Sequence, residues 1–351
     1  MIKNLKFQIK NYIVGLSPMD GVTDEPFRLT QCHIAKPDLI FTEFVSAEGI
    51  SRGGVKLYDQ LLYSDSERPI IGQLFGKDPD SFYKAGVILC HLGFDGIDIN
   101  MGCPAKTVTH HGSGAALIGQ PELASAIIKA VKSAVSDFSK GKVTINDLKL
   151  NQKTIEVINR NLKYSDYRLQ ITGYQLPSVS VKTRLGLDTP VIDTWLPFLL
   201  EHQLDFLTLH GRTLKQGYSG EANWDLIGEA GKLAKTFATP LFGNGDLQTK
   251  QQALDYCQKY NLSGALIGRS AMGNPWAFSD LIPSWEDRFS AMVFHAHKFQ
   301  EVFPTRRLDC LRHHFLLYVS GHPCAKSLRS QIIKFNQVSD LYSLESDLLS
   351  S

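Results

Sequence analysis

The sequence has no uninterrupted apolar run of about 18 residues, the length a membrane-crossing helix needs, so no segment is expected to span a bilayer. It has no surplus of either charge, since 37 Lys and Arg stand against 35 Asp and Glu for a net +2. A protein basic all over is excluded, and any nucleic-acid partner would have to be held by a local patch. Cysteine is scarce: Cys32, Cys90, Cys103, Cys257, Cys310 and Cys324 are the six, and no two of them form a CxxC pair. Zinc knuckles and a disulfide framework are therefore not expected, and a reduced, cytoplasmic setting is. The opening MIKNLKFQIKNYIVGL breaks its apolar positions with lysines, so no secretory signal is expected there. With 43% hydrophobic and 21% charged residues, the 351-residue chain has ordinary globular composition and can bury a sizeable core without staples.

What is present is an alternation. Short β-branched or apolar runs at 13–18, 39–42, 69–74, 96–100, 179–184, 206–210, 240–244 and 264–267 are separated by amphipathic segments such as 80–92, 121–135, 191–203, 224–237 and 249–260. Strands alternating with helices predict βαβ units and parallel pairing. Eight units is the count that closes a (β/α)8 TIM barrel, with an open doubly wound sheet as the alternative. The barrel domain is expected over 1–283. Within it, 136–177 is rich in Lys, Asn, Gln and Thr and too long for an ordinary loop. It reads as an insertion with a hairpin around KVTINDLKL and a short helix around KTIEVINRNL. After Pro283 the β pattern stops, and 285–349 reads as helical throughout, giving an all-helical C-terminal domain over 284–351. From Arg288 to Lys334 it holds eight Lys/Arg against two acidic residues, with five of the chain's eleven histidines. A solvated basic helix face would explain that charge, and so would a polyanionic partner.

Parallel barrels keep their chemistry at the C-terminal strand ends. Here the eight ends read SPMDGVTD, Thr42-Glu43, Gly72-Gln73, NMGCPA, Lys182 with Arg184, HGR, GNGD and GRS, every one polar or charged. The glycine-rich GNGD and IGRSAMGNP loops follow the seventh and eighth strands, where barrels bind phosphate groups, and Arg269 adds a fixed fork for phosphate oxygens. Lys182 should point into the mouth, to form a Schiff base, to neutralise a flavin's pyrimidine edge, or to pair with a carboxylate. Its neighbours favour flavin. Gln73 and Asn100 are neutral amides able to read an imide edge, and Pro18-Met19 offers a polarizable wall. Glu43 is the one acidic group that could serve an imine mechanism. Cys103, between Gly102 and Pro104, is expected to be an exposed functional thiol, mostly protonated at neutral pH and so suited to act as an acid.

These residues resemble the tRNA-dihydrouridine synthase family. The matching segments are SPMDGVTD, GQLFG, DINMGCPAKTVTHHGSGAALIG, VKTRLG, LHGRTLKQGYSGEANW, GNGD and LIGRSAMGNPW, in order, and RHHFLLYVSGHPCAKSLR resembles the family's helical domain. The likeness covers most of the chain outside the insertion. It implies an FMN-dependent barrel enzyme, reduced by NADPH, that saturates the C5–C6 bond of particular uridines in tRNA. By position it places Pro18, Met19, Asp20 and Gln73 against the isoalloxazine, with Lys182 and His210 at its pyrimidine edge and ribityl chain. Asn244, Gly245, Asp246, Gly268 and Arg269 would bind the phosphate region. Cys103 would be the general acid and Asn100 a uracil contact, with Arg184 and Arg212 orienting substrate or flavin. Hydride would reach C6 from reduced flavin while the thiol protonates C5 from the opposite face. The uridine must then be extruded from folded tRNA, which gives the basic helices work to do. Arg306, Arg307, Arg312 and Lys326 are the candidate phosphate contacts of a protein expected to be a monomer. Without a separate dinucleotide fingerprint, nicotinamide and uridine are expected to use one flavin face in turn. His110-His111 stands where relatives often carry basic residues. The alternatives are an FMN barrel acting on free pyrimidines, of the dihydroorotate or dihydropyrimidine dehydrogenase type, and a catalytically silent tRNA-binding factor. A lyase through Lys182 is more distant.

Overall fold

The computed structural model describes residues 12–165, 176–345 and 347. Strands β1 (Ile13–Leu16), β2 (Ile40–Ser46), β3 (Ile70–Phe75), β4 (Gly96–Met101), β5 (Ser178–Arg184), β6 (Phe206–His210), β7 (Leu241–Asn244) and β8 (Gly264–Ile267) close a barrel in sequence order. Every neighbouring pair, β1 with β8 included, is parallel. The predicted (β/α)8 barrel is therefore the observed fold, and the open-sheet alternative is excluded. Helices α1 (Glu25–Ala35), α2 (Ala47–Ser51), α3 (Pro79–His91), α4 (Lys106–Thr109), α5 (Pro121–Ser139), α6 (Gln152–Tyr164), α7 (Ile192–Leu200), α8 (Trp224–Thr236) and α9 (Lys250–Tyr260) accompany the strands. Local chemistry starts several of them. Asp24 accepts the Phe27 amide at the head of α1, and Asp78 accepts the Ser81 amide at the head of α3, each with proline in the first turn.

The barrel interior has two tiers. At the bottom Ile13, Leu39, Phe41, Ile71, Phe206, Phe242 and Leu266 form a closed apolar plug, with Phe206 stacked on Phe242 at 5.0 Å. Because inward positions recur every second residue, the next tier up is polar: Gln73, Asp98, Ser180 and Thr208, then Asn100, Lys182 and His210. The register sets Gln73 beside Asp98, Asn100 beside Lys182, and Arg184 beside His210. The apolar tier closes the barrel below, so the polar tier faces only the mouth.

Three expectations need correction. Strand β2 runs to Ser46 with a register shift between Phe41 and Phe44, so Thr42-Glu43 lie within the strand and not at its end. No hairpin forms around KVTINDLKL. That segment holds a 3-10 turn, Ile145–Leu148, closed by reciprocal Thr144 and Asp147 hydrogen bonds, and a local cap of this kind outcompetes strand pairing when no partner strand is near. The helix expected around KTIEVINRNL is α6. Finally, the C-terminal region is not continuously helical: it divides into α10 (Trp285–Val302), α11 (Arg312–Tyr318), α12 (Ala325–Ile332) and α13 (Ser339–Tyr342). Its last residues, like the first eleven of the chain, where no secretory signal was expected, lie outside the described residues. These four helices enclose a second apolar cluster around Phe289, Met292, Phe299, Phe315, Leu328 and Ile332, which Leu62 and Trp276 join from the barrel side. Among the described residues no helix is long and apolar enough to cross a membrane.

Candidate active site

The mouth opens into a cavity of about 990 Å³. Pro18, Met19, Asp20, Gln73, Asn100, Cys103, Lys182, Arg184, His210, Asn244, Gly245, Asp246, Gly268 and Arg269 all line it. The strand ends thus bring together fourteen residues singled out from the sequence, counted from that lining. Arg212 and Glu43, both expected at the mouth, are absent from it.

A relay of hydrogen bonds runs behind the cavity wall. Asp98 is fully buried; its Oδ1 accepts from Ser180 Oγ and its Oδ2 from Gln73 Nε2 at 2.7 Å. Gln73 Oε1 accepts from Asn100 Nδ2 at 2.9 Å. Asn100 Oδ1 in turn accepts the backbone amides of Gly102 at 3.0 Å and Cys103 at 2.8 Å. An ionised carboxylate can only accept, so Asp98 dictates which way both amides face. Asn100 has both lone pairs occupied and keeps only an N–H to offer the cavity. Burial pushes the Asp98 carboxyl up to about 6, against the lowering by Ser180, Gln73 and Lys182. Sequence reasoning passed over Asp98, although its place two residues before Asn100 on β4 signalled the same inward face.

Cys103 lines the cavity but is only 9% exposed, a correction to the exposed thiol expected. The wall closes over it because the GSG turn packs behind. Gly114 has φ +61°, and a Cβ there would meet the Cys103 carbonyl oxygen at 3.0 Å, while Ala115 N–H donates to that same oxygen. Burial pushes the thiol pKa up, Asp20 adds to the rise, and Arg184 and Lys182 oppose it. The thiol is therefore held protonated at neutral pH.

Cations crowd the adjoining wall, where Lys182 and Arg184 on β5 lie beside β4. Burial and the neighbouring Arg184 push the Lys182 ammonium down to about 8, with Asp98 and Cys103 opposing. Lys182 makes no hydrogen bond or ion pair with the described residues, and Thr208 Oγ1, its register neighbour, is buried without a partner. His210 is driven well below its usual range by burial and by Lys182, Arg184, Arg212 and Arg269, so it is a neutral ring. Arg184 spends its guanidinium on the backbone, donating to the carbonyls of Gly102, Thr213 and Gly217 at 2.7, 3.1 and 2.9 Å. It ties the Cys103 turn to the loop after β6.

Arg212 is buried outside the cavity. It donates to the Ser219 and Gly220 carbonyls and pairs with Asp246 Oδ2 at 2.6 Å. The other Asp246 oxygen holds Arg269 at 3.1 Å, and Arg269 lies over the Tyr218 ring at 4.8 Å. Asp246 consequently anchors both Arg212 and Arg269. Glu43 is likewise an anchor, accepting the Gly21 amide at 2.6 Å and fixing the SPMDGVTD loop, and burial pushes its carboxyl up to about 7. Tyr218 was legible only as part of the QGYSG motif; its ring floor under Arg269 appears in the fold alone. His110 and His111 are exposed beyond α4 and do not line the cavity.

The basic C-terminal face is smaller than its composition implies. His295 and His314 are buried beside Phe27, and burial pushes His295 down to about 3, so both stay uncharged. Arg312 donates to the Phe335 carbonyl at 2.8 Å and so closes a chain turn. Arg306, Arg307 and Lys326 remain on the surface, with Arg306 paired to Asp59 and Arg307 to Asp309.

The fold and the mouth define a (β/α)8-barrel enzyme with a buried thiol and an unpaired lysine converging on one cavity. The sequence profile of the family described as Dihydrouridine synthase matches residues 15–163 and 173–347, and the chain belongs to that family of oxidoreductases acting on CH–CH bonds. It is 30% identical over 346 residues to a Staphylococcus aureus (strain COL) protein named "Probable tRNA-dihydrouridine synthase", covering 94% of this chain and 90% of that protein. It is 29% identical over 356 residues to the "Probable tRNA-dihydrouridine synthase 2" of Bacillus subtilis (strain 168), covering 99% and 97%.

Proposed function

We propose that this protein is a tRNA-dihydrouridine synthase, reducing the C5–C6 bond of particular uridines in tRNA with FMN as cofactor and NADPH as reductant. The observation that carries the reading is a protonated thiol and a donor-only amide facing the same cavity as an unpaired ammonium. The names of the relatives point to the same substrate.

The residues present suit a flavin. Lys182 is a desolvated cation without a partner, and Gln73 and Asn100 turn fixed amides toward it. Gly268 and Gly245 leave backbone beside Arg269, whose fork suits a phosphate. Met19 and Pro18 supply the apolar wall. The cavity is at the upper end of the sizes of ligand sites, which leaves room for a flipped base beside a tricyclic ring. FMN held there by these residues would supply hydride equivalents drawn from NADPH.

The protein's own groups do the rest. Cys103 gives its proton to C5, and burial keeps that proton on sulfur until it is needed. Asn100, with only an N–H left, reads a uracil carbonyl and disfavours a ring presenting N–H at that edge. Lys182 carries positive charge into a dry site, where it stabilises negative charge developing in the reaction. Neutral His210 adds a hydrogen-bonding ring without further charge. Arg184 and the Asp98 relay hold the Cys103 turn still.

The test uses the full chain with FMN, NADPH and unmodified tRNA, scoring dihydrouridine by mass spectrometry. Dihydrouridine should form in tRNA, while free uracil and orotate are left nearly untouched. Cys103→Ala should still bind tRNA yet form no product. Turnover of free orotate with none of tRNA would overturn the reading.

A further inference from the structure

The insertion is not a loose elaboration. Helix α6 lies along the segment 53–61 and is fitted to it. Gly53 has φ +87°, and a Cβ there would meet Asn151 Nδ2 at 2.5 Å and Thr154 Oγ1 at 2.8 Å, so only glycine lets the head of α6 come this close. Buried Asn161 donates to the Tyr58 carbonyl at 2.7 Å. Arg160 Nη2 reaches Asp59 Oδ1 at 2.8 Å, and the other oxygen of that carboxylate takes Arg306 Nη2 at 2.7 Å. One acidic group thus joins the insertion helix to the C-terminal region, and two guanidiniums on one carboxylate leave the seam positive.

The outer face of α6 carries the same sign. Lys153, Arg160 and Lys163 fall within an arc of about 80° at 3.6 residues per turn, an arc that also holds Glu156, so three cations face one acid. All three are exposed, and Lys153 and Lys163 have no acidic partner among the described residues. Glu156 is the only acid on the helix, and it accepts from Gln152. Exposed Tyr164 follows directly. The stripe leads through Arg160 and Arg306 to Arg307.

We infer that the outer face of α6 continues the RNA-binding surface from the C-terminal helices onto the flank of the barrel, where it takes the sugar–phosphate backbone of the bound tRNA. The inference rests on the proposed tRNA substrate. A basic stripe docked by a shared carboxylate to a candidate phosphate site suits a continuous polyanion better than a small anion, because the charges are strung along the helix and build no pocket.

The test compares tRNA binding by the full-length wild-type protein with Lys153→Gln/Lys163→Gln over a salt series. Neither lysine packs in the fold, so thermal unfolding should be unchanged. Each phosphate contact contributes about 0.7–0.9 to the slope of log K against log salt, so the double variant should bind several-fold more weakly at low salt, with a slope flatter by about 1.4–1.8. Lys153→Arg/Lys163→Arg should restore both. An unchanged affinity and slope in the glutamine variant would overturn the α6 surface and leave a solvated or protein-binding face. Failure of the wild-type protein to bind tRNA at all would instead overturn the substrate reading.

Discussion

At the scale of single residues, one buried carboxylate organises the mouth. Asp98 accepts from Ser180 and Gln73, and through Gln73 and Asn100 it sets the turn that holds Cys103. Replacing it by alanine removes the acceptor, so Gln73 and Asn100 can rotate and the thiol turn loosens. Misplacement of a reacting group by about 1 Å can cost about 100-fold. Asp98→Ala should therefore lower single-turnover dihydrouridine formation by about that factor, and Asp98→Asn, with its oxygen toward Gln73, should recover much of the loss. Equal rates in wild type and alanine variant would remove Asp98 from the mechanism. Lys182 supplies a pH signature. Its folded pKa of about 8 lies below the ordinary 10.5, so the ammonium is present below about 8 and lost as pH rises through it. Turnover that needs the cation should fall across that window, and Lys182→Gln should be slow and flat there. The linked stability term has the opposite sign, because between about 8 and 10.5 the unfolded chain binds the proton the folded one has released, so this contribution rises with pH. Rates and unfolding midpoints measured through that range would check both directions.

At the scale of elements, the site is a set of strand ends joined by short turns, each pinned from behind. Glu43 pins the loop after β1, Arg184 pins the turn after β4 to the loop after β6, and Asp246 pins Arg269 after β8. The GSG turn behind Cys103 is one tight case. Gly114→Ala would combine φ +61° with Cβ contacts of 2.8 Å to Val108 Cγ1 and 3.0 Å to the Cys103 carbonyl oxygen. A strained left-handed residue costs about 1–3 kcal/mol, so the unfolding midpoint should drop. Alkylation of Cys103 by a small thiol reagent should quicken as the wall behind it opens. An unaltered midpoint together with unaltered alkylation would show that the turn has slack. The strands themselves were readable because β-branched runs and polar ends recur at barrel spacing. The extension of β2 past Glu43 was not, because it depends on a register shift against β3 that no local pattern encodes.

At the scale of the whole molecule, the C-terminal helices are mounted on the barrel through α1. Phe27 meets His295 and His314, His33 stacks on Phe294 at 4.1 Å, and buried Arg28 pairs with Glu67 beneath them. Such a mount sets the angle at which the outer basic residues face a large ligand approaching the mouth. Arg306→Glu/Arg307→Glu should weaken tRNA binding and flatten its salt dependence, with FMN retained, because neither residue lines the cavity. Binding assays over a salt series, with the flavin absorbance of the same samples, would check this. Intact affinity and slope would reduce these arginines to ordinary ion-pair partners of Asp59 and Asp309.

By itself the sequence determined the barrel, the polar strand ends, the Cys103 loop and the family resemblance, because each is carried by spacing along the chain. Period-two alternation, glycine turns and ordered motifs survive in one dimension. The tertiary structure decided which of the charged residues are available to a ligand. Arg212, Asp246 and Lys182 all stood at polar strand ends, yet Asp246 pairs with Arg212 and Arg269 while Lys182 has no ion-pair partner among the described residues. Three of the five C-terminal histidines, His295, His314 and His322, left the basic face for the interior, and half-buried Arg312 turned to the Phe335 carbonyl. Asp59 brought a helix of the insertion together with an arginine almost 150 residues further on, by the two ion pairs it makes. Pairing across such separations depends on distance and burial, and those exist only once the chain has folded.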